Sequence, residues 1–124
     1  MPVEFDPMRP IYLQIMEAVK KSAVRGIHAP GVQLPSVRDM STTMGVNPNT
    51  MARAYQELER EGFIETRRGE GSFVTREPGR IDDERRLLAD AACQQFSEQI
   101  LDLGLTSSQL QVLLERIDKE VKAR

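Results

Sequence analysis

The chain has 124 residues, 40% of them hydrophobic, and its 17 Lys and Arg face 19 Asp and Glu, for a formal net charge of −2 and a pI near 5.5. That composition suits one ordinary globular domain, or a small one with an appendage, and excludes disorder throughout. One cysteine and one histidine, Cys93 and His28, exclude an intramolecular disulfide and a Cys/His zinc site, and no apolar run approaches the ~20 residues of a membrane span.

The N-terminus, MPVEFDPMRP, has neither a basic n-region nor an apolar h-region, so no signal peptide is expected and cytoplasmic residence is the default. Residues 1–9 read as an arm, because Asp6-Pro7 and Arg9-Pro10 favour extended or turn backbone. Pro10 suits the first position of a helix. Ile11, Ile15 and Val19, flanked by Tyr12, Met16 and Ala23, then form an apolar stripe to about Arg25, and Gly26 ends it. Tyr12 is expected in the core. His28 to Gln33 reads as a loop with a Pro30-Gly31 turn, in which His28 is a solvated or turn residue.

Ser36 can cap a second helix, with Asp39 in the capping-box position and Gly45 ending it early. Asp39 favours that helix start by its charge, whereas Arg38 in the same turn opposes the dipole, and an outside anion would give it a purpose. Asn47-Pro48 begins a third helix, since Asn is a strong N-cap and Pro at the first position loses no intrahelical hydrogen bond. Met51, Ala54, Tyr55 and Leu58 give it one apolar face, and Gly62 ends it. Asn47, Asn49, Thr50 and Arg53 fall near its N-terminal turn, off that face. Amide side chains can pair with adenine, Arg with guanine, and Thr can meet a phosphate or a thymine methyl, while N–H groups at a helix start bind phosphate. Asn47 caps first; Asn49 and Arg53 have no evident structural task.

Phe63–Thr66 and Ser72–Thr75 read as strands joined by Arg67-Arg68-Gly69-Glu70-Gly71. Glycines there admit positive φ, and the two arginines put positive charge at a hairpin tip. Two helices a short turn apart, followed by a basic hairpin, have the layout of a winged helix-turn-helix, with the later helix in the major groove.

Several motifs now stand in order: Leu34-Pro35-Ser36-x-Arg38, Gly45-Val46-x-x-Asn49-Thr50, Ala54-Tyr55-x-x-Leu58-Glu59-x-Glu61-Gly62 and Arg68-Gly69-x-Gly71-x-Phe73-Val74. Together they resemble the DNA-binding domain of the GntR family of bacterial transcription regulators, over about residues 9 to 76. The resemblance implies a double-stranded DNA operator as partner, with Ser36, Arg38, Asn47, Asn49, Thr50, Arg53, Arg67, Arg68, Gly69 and Gly71 at the contact surface. Many members carry Arg where Pro48 and Ala52 stand. Here Arg comes at 53, and the Asn-Pro-Asn-Thr form is similar to the YtrA-type branch, so the bases read need not be the family's usual ones.

Glu77 to Ile81 reads as a linker. A helix is expected from about Asp82 to Leu103, with Leu88, Ala92, Phe96, Ile100 and Leu103 on one face, and Gly104 ends it. Cys93, within it, is expected to be a small buried side chain. Thr106-x-x-Gln109 is a capping box for a last helix, faced by Leu110, Leu113, Leu114, Ile117 and Val121. Two such helices carry more apolar stripe than they can cover alone, which predicts a homodimer, and a two-fold protein matches an inverted-repeat operator. The tail is too short for the large effector domains of many GntR relatives. It resembles the two-helix tail of the YtrA-type branch, whose members are often repressors of nearby transporter operons. An effector would have to sit at the dimer interface or between the modules, and no arginine cluster, metal constellation or aromatic cage names one.

Charge is neutral over residues 1–79 (ten basic, ten acidic), and the acidic surplus lies beyond (seven against nine). Local placement therefore decides more than the total. The carboxylates fall on helix faces expected to be solvated, with no glycine-rich phosphate loop after a strand, so no enzyme and no cofactor are expected. The reading is a mainly α protein with a small β-hairpin: a winged helix-turn-helix at 1–76, a linker at 77–81 and a two-helix dimerisation tail at 82–124, acting as a dimeric repressor. The alternative is a winged helix used for protein–protein contact.

Overall fold

Helix starts and stops in this chain follow its caps, as the computed structural model of residues 4–124 shows. In order, the elements are α1 (Ile11–Val24), α2 (Val37–Met44), α3 (Pro48–Arg60), β1 (Ile64–Arg67), β2 (Gly71–Val74), α4 (Arg80–Asp102) and α5 (Ser107–Lys122). They fall into two compact units that divide after Arg86, so that α4 gives its first two turns to the first unit and the rest to the second. Of the arm expected over residues 1–9, the first three lie outside the described residues.

In the first unit α1 and α2 both pack on α3. Ile15 and Val19 of α1, Met51 and Leu58 of α3, Phe63 just before β1, and Ile64 and Val74 of the hairpin are all but sealed from solvent. Each such side chain contributes about 1.5–3 kcal/mol on burial, and the shared core fixes how α3 is held. Ser36 accepts the Asp39 backbone N–H at 3.1 Å to start α2, and Gly45, at φ +71°, ends it. Pro10 sits one position earlier than predicted, as the N-cap of α1, because its ψ of 131° is still extended.

The antiparallel hairpin pairs Ile64 with Val74 through to Arg67 with Gly71, so only Arg68, Gly69 and Glu70 form the connection. Gly71 and Arg67 are ladder residues, and each strand is shifted one residue from its predicted span. The stretch read as a plain loop also joins this sheet. Gly31 N–H donates to Val74 O (2.8 Å), Val74 N–H to Val32 O (2.9 Å) and Leu34 N–H to Ser72 O (2.8 Å), with Gln33 bridging Phe73. That third edge anchors the hairpin to the entry of α2.

α4 begins at Arg80, two residues before the predicted start. Glu84, expected on a solvated face, is 5% exposed. Its Oε1 accepts from Arg80 Nη1 at 3.0 Å and faces Lys20 Nζ at 3.4 Å, while Lys20 also reaches Glu61 at 3.1 Å. The neighbouring Ile81 packs against the core. These contacts bind the first turns of α4 to α1 and to the C-cap of α3.

In the second unit, Gly104 (φ +63°) separates the two helices, and Thr106 and Gln109 form the full reciprocal capping box. No residue from Leu87 to Arg124 is buried. Leu101, Leu103, Val112 and Val121 are each more than 60% exposed, and Cys93 is exposed rather than buried. Cys93 lies three positions before Phe96 and seven before Ile100, at the edge of the apolar stripe, and is exposed because nothing among the described residues covers that face. No helix among the described residues is long and apolar enough to cross a membrane.

Candidate nucleic-acid interface

The N-terminal turn of α3 is built by Asn47, whose Oδ1 accepts the Asn49 backbone N–H at 2.7 Å, with Pro48 as its first residue. The cap leaves Asn49 exposed, its side chain without a hydrogen-bond partner among the described residues. Thr50 is half-buried and Arg53 exposed. These three share a shallow concavity of about 600 Å³ with Pro10, Ile11 and Tyr12 from the start of α1.

Tyr12 is half-buried, not a core residue, and its ring lies 3.9 Å from the Arg53 guanidinium carbon. Arg53 thus has a structural neighbour that sequence alone did not supply. The only signal for Tyr12 was its position beside, rather than in, the Ile11–Ile15–Val19 series.

On α2, Arg38 is exposed and has no ion pair among the described residues, while Ser36 is occupied as a cap. Tyr55 fixes α3 against the approach to α2 by donating its hydroxyl to Pro35 O at 2.6 Å. Burial pushes that phenol up to about 12, so it stays a neutral donor at any physiological pH.

At the hairpin, Arg67 is folded back, its guanidinium 4.2 Å over the Phe73 ring and 3.8 Å from Glu65. Arg68 is exposed and unpaired among the described residues. Gly69 needs its φ of +79° for the turn. Gly71 is required by its φ of +116°, and a Cβ there would also lie 2.7 Å from Gln33 Nε2, the movable end of a side chain that donates to Glu70 O at 2.8 Å, and would push it aside. Gln33, missed by the sequence reading, therefore braces the hairpin tip.

The structure thus gathers Asn49, Thr50 and Arg53 at one helix start, sets Arg38 on α2, and puts Arg68 and Gly69 at the tip. Ser36, Asn47 and Gly71 have structural tasks of their own, and Arg67 is partly engaged. The acids at the other end of α3 are occupied too. Glu57 pairs with Arg60, Glu59 accepts from Thr66 Oγ1 at 3.0 Å, and Glu61 holds Lys20. A second concavity, of about 500 Å³, lies between the end of α1 and the start of α4, with Arg25, Arg76 and Arg85 among its lining residues.

Residues 11–74 match the family described as "Bacterial regulatory proteins, gntR family". The chain is 36% identical over 122 residues to the HTH-type transcriptional repressor YtrA of Bacillus subtilis, covering 97% of this chain and 89% of that protein. It is 40% identical over 107 residues to the HTH-type transcriptional regulator YhcF of the same organism, covering 86% and 88%. Among solved structures, a GntR family transcriptional regulator from Listeria monocytogenes superposes with a TM-score of 0.82 at 33% identity, over 90% of this chain and 98% of that one.

Proposed function

Because the chain belongs to the GntR family of bacterial regulatory proteins, we propose that it is a homodimeric transcriptional repressor that reads an inverted-repeat operator with α3 and the hairpin. The observation that carries this reading is the start of α3. Asn49, Thr50 and Arg53 stand together at an exposed helix N-terminus, where base-edge donors and acceptors are needed. Arg38 and Arg68 are phosphate contacts, and the backbone N–H groups around the Asn47 cap add to them. In this reading residues 1–76 bind DNA, 77–81 connect, and 82–124 dimerise. Support for dimerisation is the uncovered apolar side chains of α4 and α5.

Selection of sites from random duplex DNA tests the proposal. An enriched inverted repeat, bound more tightly than scrambled duplex by a protein that sediments as a dimer, is the expected outcome. Absence of enrichment together with absence of salt-dependent binding to any duplex would refute it, in favour of a protein-docking winged helix.

A further inference from the structure

We propose that Tyr12, at the start of α1, is a specificity-determining residue of the DNA-reading surface, because its ring holds the Arg53 guanidinium in a fixed plane beside Asn49 and Thr50. The proposal rests on the reading of α3 as the base-contacting helix.

The stack is close. A separation of 3.9 Å from guanidinium carbon to ring centroid is well within the ~6 Å at which cation and ring attract. The two partners differ in freedom, since Tyr12 is half-buried against the core and Arg53 is exposed. The ring is therefore the fixed member and the arginine the one positioned. Arg67, by comparison, has both the Phe73 ring and the Glu65 carboxylate within reach. Arg53 has no carboxylate partner among the described residues, so the ring is its principal restraint.

Stacking occupies the face of a guanidinium and leaves its N–H edges free, and those edges are what pair with a guanine in a bidentate contact. An arginine on an exposed helix face otherwise samples many rotamers and loses that freedom on binding. A ring that already confines it removes part of the cost, and only for a base placed to meet the fork in that plane. A base elsewhere gains nothing, so the restraint acts on discrimination between sequences. The Tyr12 hydroxyl makes no hydrogen bond among the described residues, which assigns the role to the ring.

The test compares Tyr12→Phe, Tyr12→Leu, Arg53→Ala and the Tyr12→Leu/Arg53→Ala double variant, each titrated against the selected operator and a scrambled duplex at one salt concentration. Tyr12→Phe should keep the wild-type ratio of affinities. Arg53→Ala should lower it by about tenfold or more and Tyr12→Leu by about threefold to tenfold. The double variant should be no worse than Arg53→Ala, because the ring acts through the arginine. In the free protein, the Arg53 side-chain protons should show an upfield ring-current shift that Tyr12→Leu abolishes. This readout needs no DNA, and Leu keeps an apolar side chain of helical propensity at the position. Unchanged discrimination in Tyr12→Leu, equal weakening for both duplexes, or multiplicative losses in the double variant would each overturn the assignment. A wild-type chain with no preference for any selected duplex would overturn the DNA-reading premise instead.

Discussion

Replacing Glu84 with Gln exposes how firmly the first turns of α4 are held to the winged helix. The side chain is 6% exposed, and its Oε1 lies 3.0 Å from Arg80 Nη1 and 3.4 Å from Lys20 Nζ. Gln preserves the shape but leaves two cations facing a neutral amide. Removing one partner from a fully buried ion pair costs about 3–5 kcal/mol, chiefly because the remaining charge is stranded. Two features reduce that figure here. Lys20 keeps Glu61 at 3.1 Å, and Arg80 keeps the Phe63 ring at 5.2 Å. The two cations are also 14% and 19% exposed, so neither is fully dry. The expected loss for Glu84→Gln is therefore about 1.5–3 kcal/mol, read as a lower urea midpoint at fixed protein concentration. Asp83→Asn, which removes the exposed pair with Arg86, should cost no more than about 0.5 kcal/mol. Equal midpoints for the two variants would show that Glu84 is not a structural charge, and the account of α4 as fastened to α1 would fail.

Tyr55→Phe should lower stability by about 1 kcal/mol near neutral pH, because Pro35 O loses its donor. Since burial raises the Tyr55 phenol to about 12, its linked stability is whole below pH ~10 and is lost as pH climbs toward 12. The wild-type midpoint should therefore fall toward that of the variant across this window, and parallel curves would refute the linkage. Arg68→Ala should weaken binding to the selected and scrambled duplexes alike and reduce the salt slope by about 0.9, with a smaller effect for Arg67→Ala, whose guanidinium is already engaged. Gly71→Ala should destabilise the protein by about 1–3 kcal/mol in thermal unfolding, and combining it with Gln33→Ala should recover only part of the loss, because the φ of +116° remains. Ile117→Glu, on the uncovered face of α5, should shift the sedimenting species to monomer while leaving the helical circular-dichroism signal of the winged helix in place.

Legibility followed the range of the physics. Caps and punctuators act locally, so Ser36, Gly45, Asn47-Pro48, Gly62, Gly104 and the Thr106–Gln109 box mark element ends that the structure also shows. Apolar periodicity likewise gave the buried face of α3. What stayed hidden depends on partners distant in sequence. Glu84 looks like any helix carboxylate until α1 brings Lys20 beside it, 64 positions earlier in the chain. Tyr12 looks like core until Arg53 lies over it. The edge formed by residues 31–34 has no alternating pattern of its own, and its pairing exists only because β2 is there to receive it. Cys93 was misplaced for the converse reason: a small apolar residue in a helix suggests burial, but nothing in the described chain covers that side.

The placement of charge shows why an acidic pI is compatible with a DNA-binding surface. Net charge sums over all side chains, whereas a phosphate about 8 Å or more from an exposed group is largely screened from it at physiological salt. What a duplex meets is the local balance at α3 and the hairpin. There most of the carboxylates are occupied, Glu57 by Arg60, Glu61 by Lys20, Glu65 in part by Arg67 and Glu59 by the Thr66 hydroxyl. Glu70 at the hairpin tip has no ion pair among the described residues and offsets part of the arginine charge there. Arg38, Arg53 and Arg68 have no carboxylate partner among the described residues, so their donors remain free for an outside acceptor. The acids of the first turns of α4 are likewise matched, Asp82 with Arg85, Asp83 with Arg86 and Glu84 with Arg80. An internally paired acid lowers the isoelectric point while adding little repulsion at the surface, and an unpaired arginine does the reverse. Partner assignment, more than composition, sets the electrostatics of this interface.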